Sequence, residues 1–402
     1  ERERERERGF LSEQEHIDRE MGREEDWSSS IPDDILKLIV KRIHSIEDYL
    51  MFRAVCRSWN SIPCGVNDFD SSMKLPWLML TEKENSDTRG FYSLSGRKIH
   101  ELYLPEARGR RCWGSPYGWL ITIGTDLCMN LLNPLSRVSI SLPHQSTFTD
   151  QYRGSSSPEF LRTYFIEKAV LSSSPSPSRG GDCCFVIALY SEFRKLAIAK
   201  PGDDAWSPVE APWGAFEDVA CLDGKVFALN CVGDLHLLLI CGEFTAHPKA
   251  KAVHFAGPPP DGEPAAKKYI VALNGELYVV YRFHDDEAEG EGGDYVLTSD
   301  FEIYKLNMQT REWKEVSGGL GDDWTLFLGN NYSLPIRASE ECRSNCIYFT
   351  DDFLEYYPKS EGRDMGIYNC KDETVDRIPV PVVSSHLFSP FCPPLWITPN
   401  PC

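Results

Sequence analysis

A helical period of hydrophobic residues occurs only near the N-terminal end of the chain. The segment Ile31-Pro32-Asp33 has the features of a helix start, because proline fits the first turn and a carboxylate there favours the helix dipole. A one-sided apolar stripe follows at steps of three and four residues, which predicts an amphipathic helix. The stripe consists of Ile35, Leu36, Ile39, Val40 and Ile43.

A second helical pattern follows directly. Ser45 to Asp48 is another start signal, and Ser61-Ile62-Pro63 is a stop signal. The apolar positions between them are Tyr49, Leu50, Phe52, Val55, Cys56 and Trp59. Two or three short helices in fewer than about 40 residues bury too little surface to be stable alone. We therefore expect this segment to pack on a partner or on a neighbouring domain.

From about Leu75 onward the pattern changes to short β-strands separated by turns. Runs of four to seven apolar or alternating residues are bounded by Gly, Pro, Asn and Asp. Asp223-Gly224 and Asn274-Gly275 each precede an apolar run and predict turns with positive φ angles. No amphipathic helix is evident here, so the segment is predicted to be all-β. The clearest strands are 77–80, 119–123, 184–189, 225–229, 276–281, 302–306 and 347–350.

These strands form a loose repeat. Units of about 40–50 residues with several strands each are typical of propeller blades, and about 330 residues then give six to eight blades. A pair of β-sandwiches is the alternative interpretation. Three segments interrupt the repeat and are interpreted as surface loops. They are the proline-rich segments 172–181 and 257–268 and the acidic segment 285–294.

Composition and charge narrow the functional classes. The chain has 42 Lys and Arg against 61 Asp and Glu, a net charge of −19, which argues against a nucleic-acid binder. Residues 1–26 form an acidic, low-complexity tail that is expected to be disordered. We see neither an apolar run of the roughly 20 residues that span a bilayer nor a secretory signal. The 14 cysteines are therefore expected to be reduced thiols in the cytoplasm or nucleus.

Signatures of catalysis, metal binding and cofactor binding are missing. The chain has no phosphate-binding glycine loop, no nucleophile elbow and no zinc-ligand spacing, so no metal or cofactor is expected. The acidic segment 285–294 resembles an EF-hand loop at its start, but Val296 occupies the position where a bidentate Glu is required. Tryptophans 113, 119, 206, 213, 313 and 324 are interpreted as packing between blades.

The helical segment resembles an F-box. Ile31-Pro32-Asp33 at its start and Val55-Cys56-Arg57-x-Trp59 at its end stand in the order and spacing of that motif, with Ile31 in place of the usual Leu. The downstream chain resembles plant F-box proteins with a C-terminal kelch-like β-propeller of the KIB type. Supporting segments are 77–80, 114–120 and 131–136. The resemblance implies an F-box at 27–70 and a propeller at 71–402.

The resemblance also implies a function. The F-box would bind a Skp-type adaptor and through it a cullin–RING ubiquitin ligase, and the propeller would hold a target protein for ubiquitination. The receptor itself would do no chemistry, because it acts by proximity. A non-degradative receptor that sequesters its partner and a propeller hydrolase are the alternatives. The motif positions expected to form the adaptor-binding site are Ile31, Pro32, Ile35, Leu36, Ile39, Leu50, Val55, Cys56 and Trp59.

Overall fold

The computed structural model consists of two compact units, whose boundary falls between residues 70 and 71. The described residues are 31–43, 46–62, 75–152, 157–175, 184–212, 215–242, 248–260, 267–290, 293–352, 364–380, 388–389 and 391–400. The predicted disordered tail, residues 1–26, lies outside them, as do residues 176–181 and 261–266 of the two proline-rich segments.

The first unit is helical. Its helices are α1 (Asp33–Val40), α2 (Ile46–Ala54) and α3 (Arg57–Asn60). Pro32 occupies the N-cap of α1 with extended backbone angles, and Asp33 and Asp34 lie in its first turn. Both predicted helix starts and the predicted stop are therefore confirmed.

The second unit consists mostly of β-strands, which form five sheets among the described residues. The first sheet contains β1 (Trp77–Glu82), β2 (Thr88–Ser93), β3 (Lys98–Tyr103) and β25 (Leu395–Ile397). The second contains β4 (Arg111–Gly114), β5 (Leu120–Ile123), β6 (Met129–Leu132) and β7 (Ser139–Leu142).

The third sheet has eight strands. They are β8 (Ile166–Leu171), β9 (Val186–Tyr190), β10 (Lys195–Ala199), β11 (Ser207–Glu210), β12 (Phe216–Leu222), β13 (Lys225–Asn230), β14 (Leu235–Cys241) and β15 (Lys249–Ala256). Two antiparallel groups of four meet where β11 pairs in parallel with β15, Val209 opposite Ala250.

The last two sheets complete the unit. The fourth contains β16 (Lys267–Leu273), β17 (Glu276–Gly290), β18 (Gly293–Leu306) and β19 (Trp313–Glu315). The fifth contains β20 (Trp324–Leu328), β21 (Leu334–Arg337), β22 (Cys346–Phe349), β23 (Gly366–Asn369) and β24 (Thr374–Asp376).

The sheets are arranged like the blades of a propeller. The strands β25, β4, β8, β12, β16 and β21 contact one another in this order, so they form the innermost layer. Trp396 of β25 packs edge-on against Phe327 of β20, with ring centroids 4.9 Å apart, and so joins the first sheet to the fifth. The C-terminal strand β25 also pairs with β1, Trp77 opposite Ile397, which joins the two ends of this unit.

The predicted turns are confirmed. Asp223 and Gly224 have φ angles of 50° and 71°, and Asn274 and Gly275 have 51° and 76°. In each turn the flanking residues pair directly, Leu222 with Lys225 and Leu273 with Glu276. Two-residue turns with positive φ at both positions match the twist of an antiparallel hairpin.

Two predictions about the β unit need correction. The unit is not all-β, because residues Pro158–Tyr164 form a seven-residue helix, α4, whose N-cap Ser157 accepts a hydrogen bond from the Phe160 N–H. The acidic segment 285–294 is not a loop along most of its length, since β17 and β18 pair as far as Gly290 and Gly293. Backbone hydrogen bonds do not depend on side-chain polarity. A hairpin whose strand register is set by apolar residues can therefore continue through acidic residues.

The interior lies between adjacent sheets. Strands such as β5, β9 and β22 are buried at every position, as expected where both faces of a sheet are covered. Four of the six tryptophans expected to pack between blades are buried, namely Trp113, Trp119, Trp206 and Trp313. Trp324 is half-buried, and Trp213 lies outside the described residues.

Candidate functional site

Helix α1 has two apolar faces. Leu36 and Val40, four residues apart, are 0% and 1% exposed and form the inner face. Ile35, Leu38 and Ile39 form an outer face and are 48%, 56% and 37% exposed. A helix in a small domain normally carries one apolar stripe. Within the described part of the helical unit, the outer face of α1 is therefore exposed apolar surface.

Helices α2 and α3 pack through aromatic side chains. The rings of Phe52 and Trp59 lie 4.6 Å apart, and Tyr49 donates a hydrogen bond of 3.3 Å to the Ile62 carbonyl. Tyr49, Phe52 and Ile62 are buried. These contacts account for the spacing of aromatic residues in the motif, because they hold α3 against α2.

The outer surface of α2 is also partly apolar. Met51 is 71% exposed and Val55, just after the helix, is 44% exposed. We call Ile35, Leu38, Ile39, Met51 and Val55 together the open apolar surface.

The nine residues predicted for the site divide into groups. Ile35, Ile39 and Val55 belong to the open apolar surface. Leu36 lies in the interior, Trp59 packs on Phe52, and Pro32 and Cys56 cap α1 and α3. Ile31 is half-buried, and the Leu50 side chain lies outside the described part of the helix. The prediction omitted Leu38 and Met51, although Leu38 follows Ile35 at the helical spacing of three.

The charge of the helical unit differs from that of the chain. Residues 31–62 contain five basic and four acidic side chains, a net charge of +1 in a chain of −19. Lys37, Lys41 and Arg42 on α1 and just after it are exposed. A partner with an acidic surface would therefore complement this unit better than it would the rest of the chain.

The innermost strands of the β unit carry a belt of buried and half-buried ion pairs. Lys168 of β8 contacts Asp218 of β12 at 2.6 Å. Lys267 of β16 reaches Glu167 of β8 at 2.7 Å. Lys268 and Glu217 lie 3.9 Å apart, and the Glu217 carboxylate also accepts a 3.0 Å hydrogen bond from the Lys268 N–H. These six residues, which we call the charged belt, link three different innermost strands.

The segment between β20 and β21 is hydrogen-bonded to two of the innermost strands. Tyr332 donates a backbone hydrogen bond of 2.9 Å to the Gly114 carbonyl of β4. The Ser333 hydroxyl donates a side-chain hydrogen bond of 2.8 Å to the Asp218 carboxylate of β12. Asn331 and Ser333 are buried. The carboxylates of the charged belt are paired with cations, which favours a structural role over a pair of catalytic acids.

Arg282 forms a second buried ionic cluster between β17 and the residues that follow β22. Its guanidinium contacts Asp352 at 3.0 Å and Asp364 at 2.7 Å. Burial alone would lower the pKa of Arg282, but the Asp364 and Asp352 carboxylates outweigh that effect and raise it. Sequence patterns gave no signal for this cluster, because its members are up to 82 positions apart.

Among the residues with described positions, no three His, Cys, Asp or Glu side chains are grouped so as to hold a metal ion. No helix in the described ranges has the length and apolar character needed to cross a membrane.

Comparison with known proteins gives two family matches. Residues 28–69 match the F-box domain, and residues 91–369 match the KIB1-4 beta-propeller. F-box protein SKIP23 of Arabidopsis thaliana is 26% identical over 414 residues, covering 93% of this chain and 96% of that protein. F-box protein At2g17036 of the same plant is 25% identical, covering 93% and 95%.

Similarity to solved structures is too weak to support an assignment of the fold. A protein of unknown function from Bacteroides caccae overlays 60% of this chain and 73% of its own at 10% identity, with a TM-score of 0.31, too low to indicate a shared fold. The propeller match spans more than half of the chain, and the helical unit coincides with the F-box match. The chain therefore belongs to the family of F-box proteins with a KIB1-4 β-propeller.

Proposed function

We propose that this protein is the substrate receptor of a Skp–cullin–F-box ubiquitin ligase. The F-box, residues 27–70, binds the Skp-type adaptor, and the propeller, residues 71–402, holds a target protein. The observation that carries the proposal is the open apolar surface, because a short helical unit whose described residues expose an apolar face is suited to binding another protein there. Such a role places the protein in the cytoplasm or nucleus.

We further propose that the propeller has six blades. Six innermost strands contact in sequence, and the eight-stranded sheet divides into two groups of four at the parallel pairing of β11 with β15. Each blade then has four strands, except the sixth, in which β20 is an additional strand beside β21.

The exposure of each residue in α1 determines which substitutions can test adaptor binding without unfolding the helix. Leu36 is buried, so a charge there would unfold α1 and would not isolate adaptor binding. Ile35→Glu with Leu38→Glu places two charges on the open apolar surface while keeping good helix formers. Loss of apolar burial and desolvation of two carboxylates together cost about 3 kcal/mol, or roughly 100-fold in affinity.

The experiment is co-purification of the full chain with a plant Skp-type adaptor, with affinity measured by titration. The matched control is Val232→Glu, a similar change at a 61% exposed residue of the β unit. We expect the double variant to lose the adaptor, the control to retain it, and both to keep the wild-type circular dichroism spectrum. Retention of the adaptor by a folded double variant would show that this surface is not the adaptor site.

A second measurement addresses the fate of the target. Proteins captured by the full chain are quantified in cells with and without proteasome inhibition. A degradative receptor predicts that the captured target accumulates under inhibition and that the double variant abolishes this response. An unchanged target level would instead identify a receptor that sequesters its partner.

A further inference from the structure

Exposed aromatic side chains of the β unit cluster around helix α4. Five aromatic residues are exposed among the described residues, and three of them lie in α4 or in the turn between β9 and β10. Phe160 and Tyr164 of α4 are each 40% exposed, and Phe193 of the turn is 51% exposed. Tyr152, which precedes α4, is half-buried. We call these four residues the aromatic surface.

The rings of this surface pack on one another and on the interior. The ring centroid of Phe160 lies 5.3 Å from that of Tyr152, edge to face, and 5.0 Å from that of Tyr164. Tyr152 also packs on the buried Phe165 at 6.0 Å, and its hydroxyl donates a 3.3 Å hydrogen bond to the Tyr164 carbonyl. Rings that are held in place before binding lose little conformational entropy when a partner covers them.

The turn that carries Phe193 is fixed beside α4. The Ser191 N–H donates a 2.8 Å hydrogen bond to the carbonyl of Phe165, the residue directly after α4. Strands β8 and β9 pair in antiparallel fashion with Ile166 opposite Tyr190. The helix before β8 and the turn after β9 therefore lie at the same end of these strands, and the aromatic surface belongs to that end of the β unit.

Acidic side chains flank the aromatic surface. Glu159 of α4 and Glu192 of the turn are exposed, and neither is ion-paired with another described residue. The cations of the same two segments are directed to other groups of the chain. They are Lys195 with Asp150 at 2.9 Å, Arg194 with Glu217 at 3.6 Å and Arg162 with the Gly109 carbonyl at 2.9 Å. The uncompensated charge beside the rings is therefore negative.

The hairpin of β17 and β18 adds negative charge at the same end of the unit. Lys267, the first residue of β16, is opposite Arg282, and the hairpin continues beyond this pair to Gly290. Lys267 also contacts Glu167, the second residue of β8, at 2.7 Å. The hairpin thus extends from the end of the innermost layer at which α4 lies. Positions 285–294 contain six acidic residues and no basic residue.

We propose that the aromatic surface is the docking site for a basic segment of the target protein, in which Lys or Arg residues alternate with apolar residues. This inference rests on the proposed function, because it names where the propeller holds its target. Aromatic rings bind apolar side chains by burial and bind cations through their π faces. The Arg162 guanidinium, 3.7 Å from the centroid of the Phe391 ring, already makes such a contact beside α4. Glu159, Glu192 and the acidic hairpin favour a basic partner over an acidic one, including a second copy of this chain with its net charge of −19.

The experiment measures binding of fluorescein-labelled peptides to the full chain by fluorescence anisotropy. The probe is a short peptide of alternating Lys and Leu, and two comparison peptides replace its Lys by Glu or its Leu by Ser. We expect the Lys–Leu peptide to bind about ten-fold more tightly than either comparison peptide. Phe160→Ala with Tyr164→Ala should weaken its binding about ten-fold, and Phe193→Ala, which lies outside α4, about three-fold.

The matched control is Val138→Ala with Leu239→Ala, which shortens two apolar side chains of similar exposure elsewhere in the β unit. We expect this control to bind the Lys–Leu peptide as the wild type does. Glu159→Gln with Glu192→Gln should weaken binding about three-fold and reduce its dependence on salt concentration. Each variant should keep the wild-type circular dichroism spectrum.

The proposal is overturned if the Lys–Leu peptide does not bind the wild type, or binds it no more tightly than the Glu–Leu peptide does. Equal binding to the wild type and to both aromatic variants would also overturn it, because the peptide would then adsorb elsewhere on the acidic chain. Dimers of the wild type that dissociate in Phe160→Ala with Tyr164→Ala would identify a second copy as the occupant instead.

Titration with the Skp-type adaptor separates this proposal from the proposed function. The aromatic variants should bind the adaptor as the wild type does, whereas Ile35→Glu with Leu38→Glu should bind the Lys–Leu peptide normally and lose the adaptor. Failure of the docking site leaves the adaptor result unchanged, and failure of the adaptor contact leaves the peptide result unchanged.

Discussion

Replacement of Arg282 by Met tests whether the buried ionic cluster holds two sheets of the β unit together. The Arg282 side chain is 0% exposed and donates hydrogen bonds to two carboxylates, to Thr298 at 2.7 Å and to the Thr350 carbonyl at 3.1 Å. Methionine keeps much of the volume but leaves Asp352 and Asp364 buried without their counterion. Removing one partner of a buried ion pair costs about 3–5 kcal/mol.

This cost is a large fraction of the 5–15 kcal/mol that stabilises a typical protein. With a urea dependence of about 3 kcal/mol per molar for a unit of this size, the unfolding midpoint should fall by about 1 M. The assay is urea unfolding followed by tryptophan fluorescence. The matched control is Arg343→Met, which removes the same charge from a pair with Asp376 in which both side chains are more than half exposed.

The control should shift the midpoint by less than about 0.3 M, because exposed pairs contribute at most about 1 kcal/mol. Adding Asp352→Asn and Asp364→Asn to Arg282→Met should restore most of the loss, since no buried charge then lacks a partner. The reasoning is refuted if Arg282→Met shifts the midpoint no further than Arg343→Met, or if the triple variant is no more stable than the single one.

Two further predictions concern the innermost layer. Burial opposes ionisation of Glu167, but the charges of Lys267 and Arg111 outweigh burial and lower the pKa of Glu167 to about 2. The ionised carboxylate therefore contributes about 3 kcal/mol to the free energy of unfolding. This contribution is complete above about pH 4.5 and is lost as the pH falls toward 2. The difference in urea midpoint between the wild type and Glu167→Gln should accordingly shrink from pH 5 to pH 2, and a constant difference would contradict this. A Cβ on Gly114 would lie 1.9 Å from the Trp396 carbonyl oxygen, whereas one on Gly257 would meet nothing within 4 Å. Gly114→Ala should lower the thermal midpoint by several degrees and Gly257→Ala by little, and equal midpoints would show that β25 moves aside at no cost.

Local signals in the sequence predicted most of the elements. Pro32 and Asp33 favour the start of a helix independently of tertiary contacts, because they act on the first helical turn alone. Asp223-Gly224 and Asn274-Gly275 likewise make their turns from backbone preferences of two residues. Helix α4 was missed because its seven residues carry little periodic pattern, although Ser157 and Pro158 are a recognisable helix start.

Which side of each element becomes buried was decided by tertiary structure. Ile35 and Leu36 are adjacent and equally apolar, yet only Leu36 enters the interior, because that choice depends on where α2 and α3 lie. The same holds for Lys267 with Glu167 and for Arg282 with Asp364, whose partners are 100 and 82 positions apart. The sequence alone determined where most of the helices, strands and turns begin, since those preferences act between near neighbours. The pairing of β25 with β1, the charged belt and the Arg282 cluster exist only because packing brings distant segments together.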